Sequence, residues 1–188
     1  MEVRRVQDED YMSQLSFGHD SALDALVFRY HKPLYGYAYR LLQDEKLAED
    51  IVQETFLKIY QQGKKGYVPD KFKPWMYKLA TNSCKDYWKK ASTQREHSTD
   101  QDLEEEGQVH HIIDRQLERK WMIDSLNQLS FDHRTVLYLR FYQDLKYAEI
   151  ALTLDIPLNT VKGRIARGLK YLEGILREDE RNGVGANE

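Results

Sequence analysis

Apolar residues in this chain recur at intervals of three and four and almost never alternate, so the backbone is expected to be all-α. The first clear run, about Ser21 to Leu42, puts Leu23, Leu26, Val27, Tyr30, Leu34, Tyr37, Ala38 and Leu41 on one face. Pro33 within it predicts either a bend or a tight join between two helices. A second helix is predicted from about Lys46 to Gln62, ending at Gly63. The loop from Gly63 to Asp70 carries two glycines and a proline, and Pro74 suits the first turn of a third helix, about Pro74 to Lys90. Periodicity then stops, and resumes with Leu117, Trp121, Leu126 and Leu129, followed by runs at Phe131 to Tyr142, Tyr147 to Leu154 and Leu158 to Leu176.

These runs divide the chain into an N-terminal extension (1–20), a small helical domain (21–91), an acidic, flexible linker (92–113), a second small helical domain of four helices (114–178) and a disordered tail (179–188). Charge follows the same division, although the net charge is only -3. Lys71 to Arg95 holds seven Lys/Arg against Asp86 alone, Glu96 to Gly107 holds six acids and no Lys/Arg, and Leu158 to Tyr171 holds four Lys/Arg and no acid. The net charge of -3 does not suit a protein that coats nucleic acid indiscriminately, whereas the distribution leaves two basic surfaces separated by one acidic stretch.

Several classes fall away. No apolar run approaches the roughly 18 residues of a membrane span, and the opening residues lack the apolar stretch of a secretory signal, so the expected location is the cytoplasm. Cys84 is the only cysteine, and the six histidines lack helical ligand spacing, so neither a disulfide, a metal site nor a cofactor is expected. Asp50 and Glu54 are paired carboxylates at i, i+4, but no third ligand, nucleophile or base accompanies them, so an enzyme is not expected.

On the second helix Ala48, Ile51, Val52, Thr55 and Ile59 fall inward, and Asp50, Gln53, Glu54 and Leu57 outward. Two acids, an amide and a leucine suit docking on a basic partner helix, although an ordinary solvated face could carry the same residues. On the third helix Met76, Leu79, Ala80, Ser83 and Tyr87 form the inward stripe, and Lys78, Asn82, Lys85 and Lys89 follow one another along another face. Ammonium groups displace counterions from a phosphate backbone, and an amide can pair with a base edge. Trp75, Trp88, Tyr67 and Phe72 offer flat surfaces for an unstacked base, although any of them could belong to the core, and for Trp75 the core is the favoured place.

Tyr147-Ala148-Glu149-Ile150-Ala151, a short elbow, then Pro157-Leu158-Asn159-Thr160-Val161-Lys162 has the grammar of a helix-turn-helix. Ala151 is small where two helices cross; Ile150, Leu154 and Ile156 fill the elbow; Val161, Ile165, Leu169 and Leu172 pack the second helix. Lys162, Arg164, Arg167 and Lys170 point outward, as a helix entering a major groove requires.

Ala48-Glu49-Asp50-Ile51-Val52-Gln53-Glu54-Thr55-Phe56 resembles region 2.2 of the extracytoplasmic-function (ECF) sigma factors, group 4 of the sigma-70 family. Phe72 to Asn82, with Asp86 and Lys89-Lys90, resembles regions 2.3 and 2.4, and Tyr147 to Arg167 resembles region 4.2. The similarity runs in order from about Ser21 to Leu176. It implies a sigma-2 helical bundle and a sigma-4 helix-turn-helix domain that bridge core RNA polymerase and promoter DNA. Asp50, Gln53, Glu54, Phe56 and Leu57 would meet core polymerase. Trp75, Lys78, Thr81, Asn82, Lys85 and Lys89 would meet the minus-10 element, with a base flipped from the loop side. Asn159, Thr160, Lys162, Gly163, Arg164 and Arg167 would meet the minus-35 duplex. Resemblance also implies control by a membrane-anchored anti-sigma factor. Two positions depart from the pattern: Gly163 stands where serine is common, and Ser130-Phe131 replaces a helix-opening proline, with the Ser130 hydroxyl available as a cap.

Two other classes remain. A helix-turn-helix regulator acting without polymerase would bind duplex alone, preferably as a dimer, and would leave the Asp50 face and the Lys78 row without a role. A nucleic-acid enzyme would show metal-dependent turnover lost in Asp50→Ala.

Overall fold

The computed structural model describes residues 6–96 and 123–184, the side chains at 91–96 and at most positions beyond 175 excepted. Helices account for the regular structure, and no strand occurs among the described residues.

The N-terminal extension contributes a helix that the periodicity misses. α1 (Asp8–Ser16) starts at a capping box in which the Asp10 carboxylate accepts from the Gln7 N–H at 2.9 Å. Met12 and Leu15 are fully buried, and three further acidic contacts tie α1 down. Asp8 receives Arg29 and the Tyr30 hydroxyl, and Glu9 accepts the Phe72 N–H at 2.7 Å.

α2 (Ser21–Leu42) runs through Pro33. The ring sits on the exposed side, where water can satisfy the carbonyl that a proline four residues on leaves unbonded. Ala22, Leu26, Tyr30, Leu34, Tyr37, Ala38 and Leu41 form its buried stripe. Asp44 caps α3 (Glu45–Lys64), accepting from the Leu47 N–H at 2.9 Å. Gly63 does not end this helix. A Cβ built there would lie 2.8 Å from Leu15 Cδ1, so the glycine permits the close approach of α1 to α3. The turn comes at Gly66, whose φ of +82° suits glycine.

α4 (Phe72–Glu96) begins two residues before Pro74, because the Glu9 carboxylate supplies the missing acceptor at its N-terminus. It also continues into the first five residues of the expected linker; residues 97–113 of that linker lie outside the described residues, as do Leu117 and Trp121.

Residues 123–127 are helical. Ser130 caps α5 (Phe131–Phe141), as its hydroxyl predicted. α6 (Tyr147–Leu154) ends at Asp155 in the left-handed conformation (φ 54°), which Asp tolerates. α7 (Leu158–Val184) corrects the expected tail: the helix extends through residues 179–184, with an i, i+4 pair between Glu173 and Arg177 at 2.5 Å. Gly168 lets α7 approach α5, since a Cβ there would meet Leu137 Cδ1 at 3.1 Å.

The two helical groups touch. α6 lies along α4, and α5 meets the end of α2. The Tyr77 hydroxyl donates to Gln143 Oε1, Lys73 Nζ donates to the Gln143 carbonyl at 2.6 Å, and Thr153 Oγ1 donates to the Pro74 carbonyl at 3.2 Å. Arg134 donates to the Leu41 carbonyl at 2.9 Å.

Candidate functional site

Three surfaces carry the residues singled out in the sequence. On α3, Asp50, Gln53 and Leu57 are exposed, Leu57 by 56%. Glu54 is half-buried and pairs with Lys58 at 2.7 Å, and Lys58 also reaches the Ser83 hydroxyl at 3.1 Å. Phe56 is a correction: only 7% exposed, it belongs to the bundle core, since α3 turns that position toward α2 and α4. Next to this face the sequence missed a stacked pair on α2, Tyr35 and Tyr39, whose centroids are 6.2 Å apart. Desolvation, then the carboxylates of Glu45 and Glu49, push the Tyr35 hydroxyl upward, which places that ring beside the acidic start of α3. Aromatics at i, i+4 on α2 were the available signal.

On α4, Asn82, Lys85 and Lys89 are exposed and Lys78 is half-buried, so the cationic row lies along one accessible edge. Thr81 is a second correction. It is 4% exposed, donates to the Tyr77 carbonyl at 2.6 Å and lies 2.7 Å from the Tyr37 hydroxyl, so its oxygen is committed inside the bundle. Trp75 is half-buried between Tyr67 (centroids 5.4 Å) and Phe72 (6.0 Å), with Tyr67 46% exposed at the rim. Trp88 is 42% exposed and meets Phe131 at 5.6 Å; with Lys85, Lys89 and Asp132 it lines an open depression of about 310 Å³.

On α7, Asn159, Lys162 and Arg167 are exposed, and Thr160 and Gly163 half so. Arg164 turns back to Asp132 in the first turn of α5, at 2.5 Å. A Cβ at Gly163 would meet only the Arg167 guanidinium, at 3.6 Å, so no packing constraint in the chain demands glycine there. The elbow is built as expected: Ile150 and Val161 are fully buried, and Ala151, Leu154 and Ile156 pack on them. At the start of α6, burial raises the Glu149 carboxyl, but the Lys146 N–H (2.9 Å) and the Lys71 ammonium (3.1 Å) outweigh it and hold the group below its ordinary value.

The described residues contain no cluster of three or more His, Cys, Asp or Glu able to hold a metal, and no helix long and apolar enough to cross a membrane. Their chemistry is that of two cationic helix edges and one acidic face.

Known proteins share this arrangement. Residues 26–94 match the family model for sigma-70 region 2, and residues 119–172 that for sigma-70 region 4. The ECF RNA polymerase sigma factor SigL of Mycobacterium tuberculosis is 33% identical, over 82% of this chain and 88% of its own. The RNA polymerase sigma-H factor of Pseudomonas aeruginosa is 29% identical, over 92% of this chain and 97% of its own. Among solved structures, CnrH in complex with the cytosolic domain of CnrY superposes with a TM-score of 0.70 at 22% identity, over 92% of this chain and 98% of that one, and so has the same fold. With both regions present in order on an all-helical frame, the chain belongs to the sigma-70 family as an ECF RNA polymerase sigma factor, a factor of transcription initiation.

Proposed function

We propose that this factor works through three surfaces, each on its own helix. The outward face of α3, with Asp50, Gln53, Glu54 and Leu57, docks on a basic helix of core RNA polymerase. Lys78, Asn82, Lys85 and Lys89 on α4, with Trp75 and Tyr67 at the adjoining loop, hold the separated strand at the minus-10 element. Asn159, Thr160, Lys162 and Arg167 on α7 read the minus-35 duplex, and Arg164 positions α7 against α5. Region 2 is assigned to 21–91, now with α1 packed on it, and region 4 to 114–178. The chain acts in the cytoplasm by binding rather than by catalysis, and a membrane-anchored anti-sigma factor is its expected antagonist.

One observation carries this reading: the row of exposed cations and amide on α4 coexists with a second such edge on α7, which an operator-binding regulator has no use for. The test is affinity for core polymerase. Asp50→Ala combined with Gln53→Ala is expected to weaken association at least ten-fold, with the far-UV spectrum and melting temperature unchanged because both side chains are exposed. Wild-type affinity in the double variant would remove α3 from the interface.

A further inference from the structure

We infer that α1 is a brace for the minus-10 reader: it holds both ends of the loop between α3 and α4, and Glu9 is the positioning residue that sets the start of α4. The inference rests on the minus-10 surface proposed above, and adds to it a residue that precedes the stretch 26–94 matched by sigma-70 region 2.

α4 begins without a cap of its own. Its first helical bond runs from the Trp75 N–H to the Lys71 carbonyl at 3.3 Å, which puts Lys71 at the capping position, and a lysine side chain carries no acceptor. Pro74 has no N–H, so within residues 72–74 only Phe72 and Lys73 have a donor to satisfy. The Phe72 N–H goes to Glu9 Oε1 at 2.7 Å, across 63 positions of sequence. A carboxylate there also complements the positive end of the helix dipole, so this bond is a strong one.

The same short helix meets the other end of the loop. Leu15 is fully buried against Gly63, where a Cβ would come within 2.8 Å of Leu15 Cδ1. From Gly63 the chain turns at once: the Gly63 carbonyl accepts the Gly66 N–H at 2.9 Å, and the Gln62 carbonyl accepts the Tyr67 N–H at 3.0 Å. Loop 65–71 therefore leaves α3 beside Leu15 and enters α4 beside Glu9, two positions about 9 Å apart along one helix. Aromatic rings carry the placement to the surface. Tyr30, whose hydroxyl donates to Asp8 of α1, meets Phe72 at 5.5 Å; Phe72 meets Trp75 at 6.0 Å, and Trp75 meets Tyr67 at 5.4 Å on the exposed rim. A surface that receives an unstacked base has to be held to about 0.5 Å, and α1 supplies that constraint from behind the loop.

Glu9→Ala and Glu9→Gln in the full chain separate positioning from bulk stability. Hydrogen exchange of the free chain is read at the Phe72 N–H and across 65–71. Strand opening is read as permanganate reactivity of minus-10 thymines, with the polymerase complex on a factor-dependent promoter. Glu9→Ala is expected to speed exchange at Phe72 and to slow opening, each about ten-fold, the factor carried by one hydrogen bond to a charged group. Affinity for core polymerase and for minus-35 duplex is expected to stay at the wild-type level. Glu9→Gln keeps an oxygen that accepts the Phe72 N–H, and is expected to restore most of both readouts. Ile51→Val, at a fully buried position about 18 Å along α3 from Gly63, lowers the stability of the same bundle and is expected to leave opening unchanged. Wild-type exchange and opening in Glu9→Ala, no recovery in Glu9→Gln, or equal slowing in Ile51→Val would each overturn the inference. Wild-type opening in Asn82→Ala with Lys85→Ala would instead count against the minus-10 surface, and exchange at Phe72 would still decide whether Glu9 holds the loop.

Discussion

Region 2 and region 4 each present one cationic helix, but they hold it in different ways. α4 lies on a thick bundle in which Tyr37, Tyr77, Phe72, Met12, Leu15 and Met76 are all fully buried, so its edge is fixed by a core of large side chains. α7 rests on Val161 and Ile165, with Ile150, Leu137 and Tyr138 beneath, and region 4 completes its polar bonding through Gln143, Thr153 and Arg134 on region 2. The difference separates a helix edge held by a core of large side chains from one held by a smaller core whose polar groups find partners in the neighbouring region.

The largest effect that sharpens this contrast is a cavity in the platform. Leu15→Ala is expected to cost about 2–5 kcal/mol, read by chemical denaturation, because Leu15 is fully buried and packs against Gly63. A loss below 1 kcal/mol would show that α1 is dispensable to region 2. Next, Lys162→Ala and Arg167→Ala should each weaken minus-35 duplex binding by about 1–3 kcal/mol if a base contact is lost, with little change in melting temperature. Arg164→Ala should instead lower the melting temperature of region 4, since Asp132 already holds that guanidinium. Gly163→Ala should stabilise α7 by up to about 1 kcal/mol, because the position has room for a methyl. If it abolishes duplex binding while raising stability, the backbone at 163 approaches DNA closely.

The smallest effect concerns pH. Glu149 has its carboxyl held below the ordinary 4.5, so its contribution to the α6 cap and the Lys71 pair is present above that value and is lost as pH falls through the lower folded value. Glu149→Gln should flatten this part of an acid titration followed by circular dichroism, and an unchanged titration would show the pair to be without weight.

The sequence made α2, α3, the helix-turn-helix and the cationic edges legible because each has a long repeating pattern. What it hid came from partners distant along the chain. α1 has nine residues and two core positions, too few for periodicity to stand out, and its role appears only where Leu15 meets Gly63. Thr81 reads as a surface hydroxyl until Tyr37, 44 residues away, is seen to occupy it. Phe56 sits within a binding signature yet turns inward. Gln143 and Thr153 look like ordinary polar positions, and only the packing of α6 on α4 gives them a role.

The most direct test of the central claim is run-off transcription with purified core polymerase on a genomic fragment library, with and without this factor, mapping the new 5′ ends. The account predicts factor-dependent starts that share two upstream elements, and their loss in Asp50→Ala/Gln53→Ala. Duplex binding by the factor alone with no new starts would contradict it.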